Sequence, residues 1–248
     1  MSLALSVVVP AYNEEARLPR TLRRLREYLD ARGEPYEIVV VDDGSTDGTA
    51  EAARAAGGPV VRLLAGERNR GKGHAVRRGM LAAAGARRLM CDADLSTPIE
   101  ELERLEARLA EGCGVAIGSR AVSGARLEVR QGLWRENAGR AFNLLARLVA
   151  LPDLHDTQCG FKLFTAEAAE AGFARACLDG FAFDVEVLFL ARRAGQRIAE
   201  VPVVWRNDAA SRVSLAKGLS AFLDLLRLRW RALRGSYERL ESGGARRE

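Results

Sequence analysis

Lysine is nearly missing from this chain: Lys72, Lys162 and Lys217 are the only lysines among its 38 basic residues, and the rest are arginines. So large a skew in an Ala- and Leu-rich chain reads first as a compositional bias of the genome, and it singles out the three lysines that remain. Histidine is almost as scarce. His74 and His155 stand alone with no ligand spacing around them, which excludes a zinc site. The four cysteines (Cys91, Cys113, Cys159, Cys177) form no CxxC pair, so reduced and mostly buried thiols are expected, not a disulfide framework. Uncharged runs fall far short of the roughly 20 apolar residues a membrane-spanning helix needs. The opening MSLALSVVVPAYNEE carries no basic leader and reads as mature sequence, so a cytoplasmic location is expected. No helix-turn-helix, RNA-recognition or zinc-finger pattern accompanies the net charge of +5, and the basic residues are dispersed. Nucleic acid is therefore not expected as a partner. A membrane surface or a phosphorylated substrate remains to account for the positive charge.

What is present is an ordinary globular composition, 248 residues with 48% hydrophobic, enough for one large α/β domain or two small ones. Residues 3–9 and 36–42 are near-continuous β-branched runs, as expected of strands buried on both faces of a parallel sheet. Between them Leu18, Leu22, Leu25 and Leu29 recur at helical spacing over 14–31, closed by Gly33. The alternation continues with helices at 47–56, 72–84 and 99–110 and strands at 59–64, 87–92 and 114–119. This predicts a doubly wound, mostly parallel α/β sheet that binds ligands at the carboxyl ends of its strands. Beyond 120 the pattern loosens into a polar loop (121–132), helices near 137–150 and 183–194, and a strand near 197–205. A last helix, 216–234, has Leu219, Phe222, Leu223, Leu226, Trp230 and Leu233 as an apolar stripe, with Lys217, Arg227, Arg231 and Arg234 off it. That pattern suits either an interfacial membrane contact or packing against the domain or a second subunit.

Chemistry concentrates at the predicted carboxyl edge. The first strand runs into Pro10-Ala11-Tyr12-Asn13-Glu14-Glu15, which is a ligand contact or a turn with Asn13 as N-cap. The second ends in Asp42-Asp43-Gly44-Ser45-Thr46-Asp47. Capping by Asp47 accounts for one aspartate there, but the adjacent pair needs a partner or a polar ligand. Asn69-Arg70-Gly71-Lys72-Gly73-His74 opens a helix, as an anion site or as an exposed basic loop, without P-loop spacing. Asp92-Ala93-Asp94 puts two carboxylates one residue apart at a strand end, where both can reach one hard cation such as Mg2+ or Mn2+. An acidic turn before a helix starting at Thr97-Pro98 is the plainer account of that triplet. Arg120 closes the next strand, where a guanidinium suits bidentate contact to phosphate.

In this order the blocks PAYNEE, VVVDDGSTDGT, NRGKGHAVRRGM, DADLSTP and IGSR resemble family 2 glycosyltransferases. The later DTQCGFKLF (156–164), AFDVE (182–186) and VVW (203–205) are similar to the dolichyl-phosphate β-glucosyltransferase branch, with dolichyl-phosphate mannose synthases a step further away. The resemblance covers about residues 3–215. It implies a GT-A fold over 1–215; the residues beyond read as an amphipathic basic helix (216–240) and a disordered tail (241–248). It also implies an inverting, metal-dependent hexosyl transfer to an isoprenoid phosphate at the inner face of the cytoplasmic membrane. Glucose from UDP-glucose is expected first, with mannose from GDP-mannose, or a glycan or soluble hydroxyl acceptor, as the alternatives. Carried over by motif, Pro10, Ala11, Tyr12, Glu14, Asp42, Asp43, Lys72, Asp92 and Ala93 would contact the nucleotide-sugar, and Asp92 and Asp94 the metal. Asp94, Arg120 and Arg135 would be catalytic, and Arg120, Arg135, Ser211 and Arg212 would hold the acceptor phosphate. Asp156, Gln158, Lys162 and Asp184 fall in further matching blocks. Asp156 and Asp184 are the candidate bases should the acceptor be a hydroxyl. Mannose-transferring relatives carry Gln where this chain has Ser96, which leaves the third metal contact and the donor sugar open. The oligomeric state is not specified by any of these features.

Overall fold

The computed structural model describes residues 3–129, 133–206 and 215–237. Seven strands form the central sheet: β1 (Leu5–Ala11), β2 (Tyr36–Asp42), β3 (Val61–Ala65), β4 (Arg87–Cys91), β5 (Val115–Ser119), β7 (Phe161–Thr165) and β8 (Ile198–Pro202). Their order is β3-β2-β1-β4-β7-β5-β8. All neighbours run parallel except β7, which lies antiparallel between β4 and β5 with Cys91 opposite Phe161 and Ile117 opposite Lys162. β7 was not foreseen as a strand, and its direction has a functional consequence. Its amino end, and with it the segment 156–160, arrives at the edge where the parallel strands end.

The buried strand residues split by parity between two layers, as the pleat requires. Val7 and Val9 face a cluster with Leu18, Leu22, Leu25 and Leu29 of α1 (Leu18–Arg32) and Leu102 and Leu105 of α4 (Leu102–Ala110). Val8 faces the opposite cluster, with Val76 and Met80 of α3 (Lys72–Ala82), Phe173 of α6 (Ala166–Phe173) and Val187 and Leu188 of α7 (Phe183–Arg193). Each fully buried leucine of α1 contributes about 1.5–3 kcal/mol relative to exposure. Pro19 stands in the first turn of α1 and Gly33 ends it in a left-handed conformation, φ 69°. The helix thus starts at Leu18, with Arg17 and not Asn13 at its N-cap. α3 approaches the sheet so closely that a Cβ on Gly79 would lie 2.4 Å from Val8 Cγ1.

The second half departs from expectation in two places. The polar loop 121–132 contains a short strand, β6 (Arg126–Val129), and the strand foreseen over 197–205 divides at Val203 into β8 and β9 (Val204–Arg206). β6 and β9 pair with each other as a separate ribbon. α2 (Thr49–Gly57) and α5 (Leu133–Val149) complete the set before the last helix.

That helix, α8 (Leu215–Leu233), turns only part of the stripe the sequence displays toward the core. Ala221, Leu225 and Leu228 are buried in the α7-side cluster, and Phe222 meets Phe142 of α5 edge-on at 5.5 Å. Leu223, Leu226, Trp230 and Leu233 are exposed, as are Leu144 and Leu148 on α5. The turn after α8 is fastened by Tyr237, whose hydroxyl donates to Glu186 Oε1 at 2.7 Å. Glu186, fully buried on α7, also accepts the amide protons of Cys177 and Leu178. No helix among the described residues is long and apolar enough to cross a membrane. Cys91, Cys113 and Cys159 are buried free thiols and Cys177 is an exposed one.

Candidate active site

The carboxyl ends of β1, β2 and β4, and the amino end of β7, meet at one edge. Two loops there are laced together. Asn13, at φ 56°, donates its amide proton to Ser45 Oγ and accepts from Thr46 N through Oδ1. Glu14 N donates to Thr49 Oγ1, Glu15 N to Asp47 Oδ2, and Gly48 N to Glu15 Oε2. Asp47 therefore bridges the loops as well as binding Thr49 N, while Gly48 occupies the N-cap of α2. Pro10 and Ala11 end β1 beneath them, Tyr12 projects 40% exposed, and the Glu14 carboxylate pairs with Arg17.

The adjacent acids Asp42 and Asp43 are both buried and both satisfied by backbone. Asp42 Oδ1 accepts from Ser45 N at 2.9 Å, and Asp43 accepts from Arg70 N and from Gly71 N, the latter at 2.7 Å. Their mutual repulsion is thus met by amide dipoles. Gly71, at φ 115°, lies against the carbonyl of Asp179, to which Gly73 N donates. A side chain at 71 would strike that carbonyl, so the glycines serve the approach of the 176–180 loop to the start of α3. His74 Nδ1 sits 3.8 Å from Asp43 Oδ1, and burial together with Arg70 holds the imidazole below its ordinary pKa.

The triplet Asp92-Ala93-Asp94 leaves β4 on a turn in which Leu95 adopts φ 48°. Asp92 N donates to Gly160 O, Thr21 Oγ1 donates to Ala93 O, and Ser96 N donates to Asp94 Oδ1. Lys72 Nζ lies 2.6 Å from Asp92 Oδ1. Burial works against the Lys72 charge, but Asp92, Asp184 and Asp94 outweigh it and raise its pKa. Burial, then the Asp92 charge, pushes the Asp94 carboxyl up. The donor set consists of hard oxygens, and its negative charge is under-compensated by the protein, as a divalent-cation site requires. No cluster of three His, Cys, Asp or Glu that could hold a metal occurs among the described residues.

Two further ion pairs flank the triplet. Arg120, at the end of β5, donates through Nε and Nη2 to Asp156 at 2.7 and 2.9 Å, and its amide proton goes to the same carboxylate. Gln158 N also donates to Asp156. The guanidinium stacks over Trp205 with its carbon 5.5 Å from the ring centroid. The 155–157 segment is itself fixed, by Glu200 accepting from His155 N and Asp156 N and by Asn143 Oδ1 accepting from Thr157. Arg120 opposes the burial penalty and holds the Asp156 carboxyl below its ordinary value. On the other side, Lys162 Nζ donates to Asp184 Oδ1 and to Cys159 O, both at 2.5 Å, inside the protein. Burial pushes the Asp184 carboxyl up although Lys162 and Lys72 pull it back.

Most residues singled out in the sequence therefore converge on one edge, Lys72 and Lys162 among them. Arg120 and Asp156, expected as a phosphate ligand and a candidate base, meet as partners. Of Arg135 only the backbone, within α5, is described; Ser211 and Arg212 lie outside the described residues, as does the tail from 238. Reading the sequence passed over Gly160. A Cβ there would fall 1.9 Å from Asp92 Oδ2, so the carboxylate rests directly on this glycine. Its signal was a glycine just before an unrecognised strand. Glu200 and Asn143 gave no signal, because their roles depend on contacts 44 and 14 residues away in sequence.

The sequence profile described as "Glycosyl transferase family 2" matches residues 6–173. The chain is 39% identical to the dolichyl-phosphate beta-glucosyltransferase of Mus musculus, over 94% of this chain and 77% of that protein. It is 40% identical to the enzyme of that name from Drosophila melanogaster, over 86% and 70%. Among solved structures, glucosyl-3-phosphoglycerate synthase from Mycobacterium tuberculosis with UDP superposes with a TM-score of 0.68 at 24% identity, covering 92% of this chain and 80% of that one. The same enzyme with Mn2+, UDP and glucosyl-3-phosphoglycerate gives 0.67 at 22%, covering 91% and 78%. The sheet order, the acidic edge and these matches agree: the chain is a GT-A-type glycosyltransferase and belongs to glycosyl transferase family 2.

Proposed function

We propose that the protein transfers glucose from UDP-glucose to an isoprenoid phosphate, with inversion at the anomeric carbon, at the surface of a membrane. The observation that carries this reading is the state of Asp156 and Asp184. A hydroxyl acceptor would need a carboxylate free to take its proton, and each of these candidates is locked to a cation, Arg120 or Lys162. A phosphate acceptor is already an oxyanion near neutral pH and needs positioning more than a base.

In this reading Pro10, Ala11, Tyr12, Glu14, Asp42, Asp43 and Ala93 line the nucleotide. Lys72, at the start of α3, meets the diphosphate together with the amide groups of that helix terminus. Asp92 and Asp94 would hold Mg2+ or Mn2+, which would supply positive charge to offset that of the departing diphosphate. Arg120, kept in one orientation by Asp156 and Trp205, presents its remaining N–H groups to phosphate, with Arg135 and the Ser211-Arg212 pair as further acceptor contacts. The relatives named dolichyl-phosphate beta-glucosyltransferase support this acceptor class and glucose over mannose.

The isoprenoid chain requires a lipid surface close by. The exposed Leu223, Leu226, Trp230 and Leu233 of α8 and Leu144 and Leu148 of α5, with Arg227 and Arg231 on the same helix and Arg234 in the turn after it, suit an interfacial contact with anionic lipid on the cytoplasmic side. Incubation with radiolabelled UDP-glucose or GDP-mannose, Mn2+ and vesicles containing an isoprenoid phosphate tests the reading. Label entering the lipid phase from UDP-glucose is expected. No lipid label from either donor would overturn it, and label from GDP-mannose alone would change the sugar.

A further inference from the structure

Building on the reading of Asp92 and Asp94 as a divalent-cation site, we propose that Lys72 holds Asp92 in the donor-free enzyme in place of that cation, so that the cation enters with the nucleotide diphosphate and not before it.

Three observations support it. First, one oxygen of each carboxylate already has a partner within the protein. Asp92 Oδ1 is bound by the Lys72 ammonium at 2.6 Å, Asp94 Oδ1 takes the Ser96 amide proton, and Asp92 Oδ2 lies against Gly160. A cation arriving alone must displace Lys72 or share Asp92 with it, and like charges at that separation in a half-buried site repel strongly. Second, no third His, Cys, Asp or Glu joins the two aspartates among the described residues, which leaves room for ligands brought by a nucleotide. Third, Lys72 is placed to leave. It begins α3 directly after Gly71, and its side chain is 23% exposed. Lys162, by contrast, is sealed between Asp184 and the Cys159 carbonyl.

A diphosphate meets both conditions in one event. Its negative charge draws the ammonium off Asp92, and its oxygens add hard ligands beside the two aspartates. Lys72 thereby makes cation and nucleotide binding mutually dependent, each raising the affinity of the other by the same factor.

The test is Mn2+ affinity, read by electron paramagnetic resonance of free Mn2+, with and without UDP. It is applied to the wild type, Lys72→Met and Lys72→Arg, with thermal melting to verify folding. The wild type is expected to bind Mn2+ at least about tenfold more tightly with UDP than without. Lys72→Met is expected to bind Mn2+ alone about tenfold more tightly than the wild type does, and to lose most of the dependence on UDP. Lys72→Arg, which keeps the charge, should stay close to wild type without UDP. Lys72→Met binding Mn2+ alone no more tightly than wild type overturns the proposal. So does a wild type that binds Mn2+ equally with and without UDP, a result that needs no variant. No Mn2+ binding in any state would bring down the metal reading itself, a failure distinct from the other two.

Discussion

Two lysine–aspartate pairs stand side by side at the sheet edge, nearly equal in length and opposite in setting. Lys72 and Asp92 are 2.6 Å apart with side chains 23% and 31% exposed; Lys162 and Asp184 are 2.5 Å apart with 0% and 5% exposed. Water reaches the first pair, so its partners can be exchanged at modest cost. The second pair has no such alternative, and loss of either member strands a charge in the interior. The same chemistry thus gives one exchangeable contact and one fixed brace. The brace ties β7 to α7 and stiffens the wall beside the exchangeable pair.

The sharpest break in this comparison is Lys162→Met. Removing one member of the sealed pair should cost about 3–5 kcal/mol in urea unfolding. A loss below about 1 kcal/mol would place it with surface pairs and erase the distinction. Asp156→Asn comes next, at about 3 kcal/mol, because it frees the Arg120 guanidinium beside Trp205. Its pH dependence carries a sign. Asp156 has a folded pKa below the ordinary 3.8, so its contribution is full above that value and is lost as pH falls through the lower folded pKa. The variant should lack this acid limb in a pH series of melting temperatures.

Gly160→Ala moves the comparison to catalysis. The new methyl group would collide with Asp92, and a displacement of about 1 Å is expected to lower kcat about a hundredfold. Activity within a few-fold of wild type would show that Asp92 is not held where transfer needs it. Lys72→Met should change unfolding free energy by less than about 1 kcal/mol, in contrast with Lys162→Met. Trp230→Ser should alter stability by no more than about 0.5 kcal/mol, while binding to anionic vesicles in a flotation assay weakens several-fold. Unchanged flotation would remove α8 from the lipid contact.

The parallel half of the fold was legible in the sequence because its signals are local. β-branched runs and leucine spacing marked β1, β2 and α1, and acids at strand ends mark a ligand edge in any doubly wound sheet. β7 was not legible. FKLFT is a five-residue run with no alternation of its own, and its antiparallel place between β4 and β5 depends on partners some 45–75 residues away. The β6–β9 ribbon escaped notice for the same reason. α8 misled in a different way. It carries apolar residues on two faces: of the stripe read from the sequence Phe222 packs, while Leu223, Leu226, Trp230 and Leu233 are exposed and the smaller Ala221, Leu225 and Leu228 fill the core. Periodicity ranks faces by hydropathy, whereas packing selects the one whose shape fits the core. Within the site, residue types at the edge were readable but their pairings were not. Arg120 read as a phosphate ligand because its partner, Asp156, lies 36 residues further on.

The account rests on direct displacement, a phosphate oxygen attacking the sugar from the face opposite the diphosphate. The anomeric configuration of the product tests this most directly. With UDP-α-glucose, Mn2+ and an isoprenoid phosphate in vesicles, NMR of the extracted lipid should show a β-glucosyl phosphate. An α-glucosyl phosphate would contradict the single in-line displacement, because retention requires either a covalent intermediate or attack from the same face.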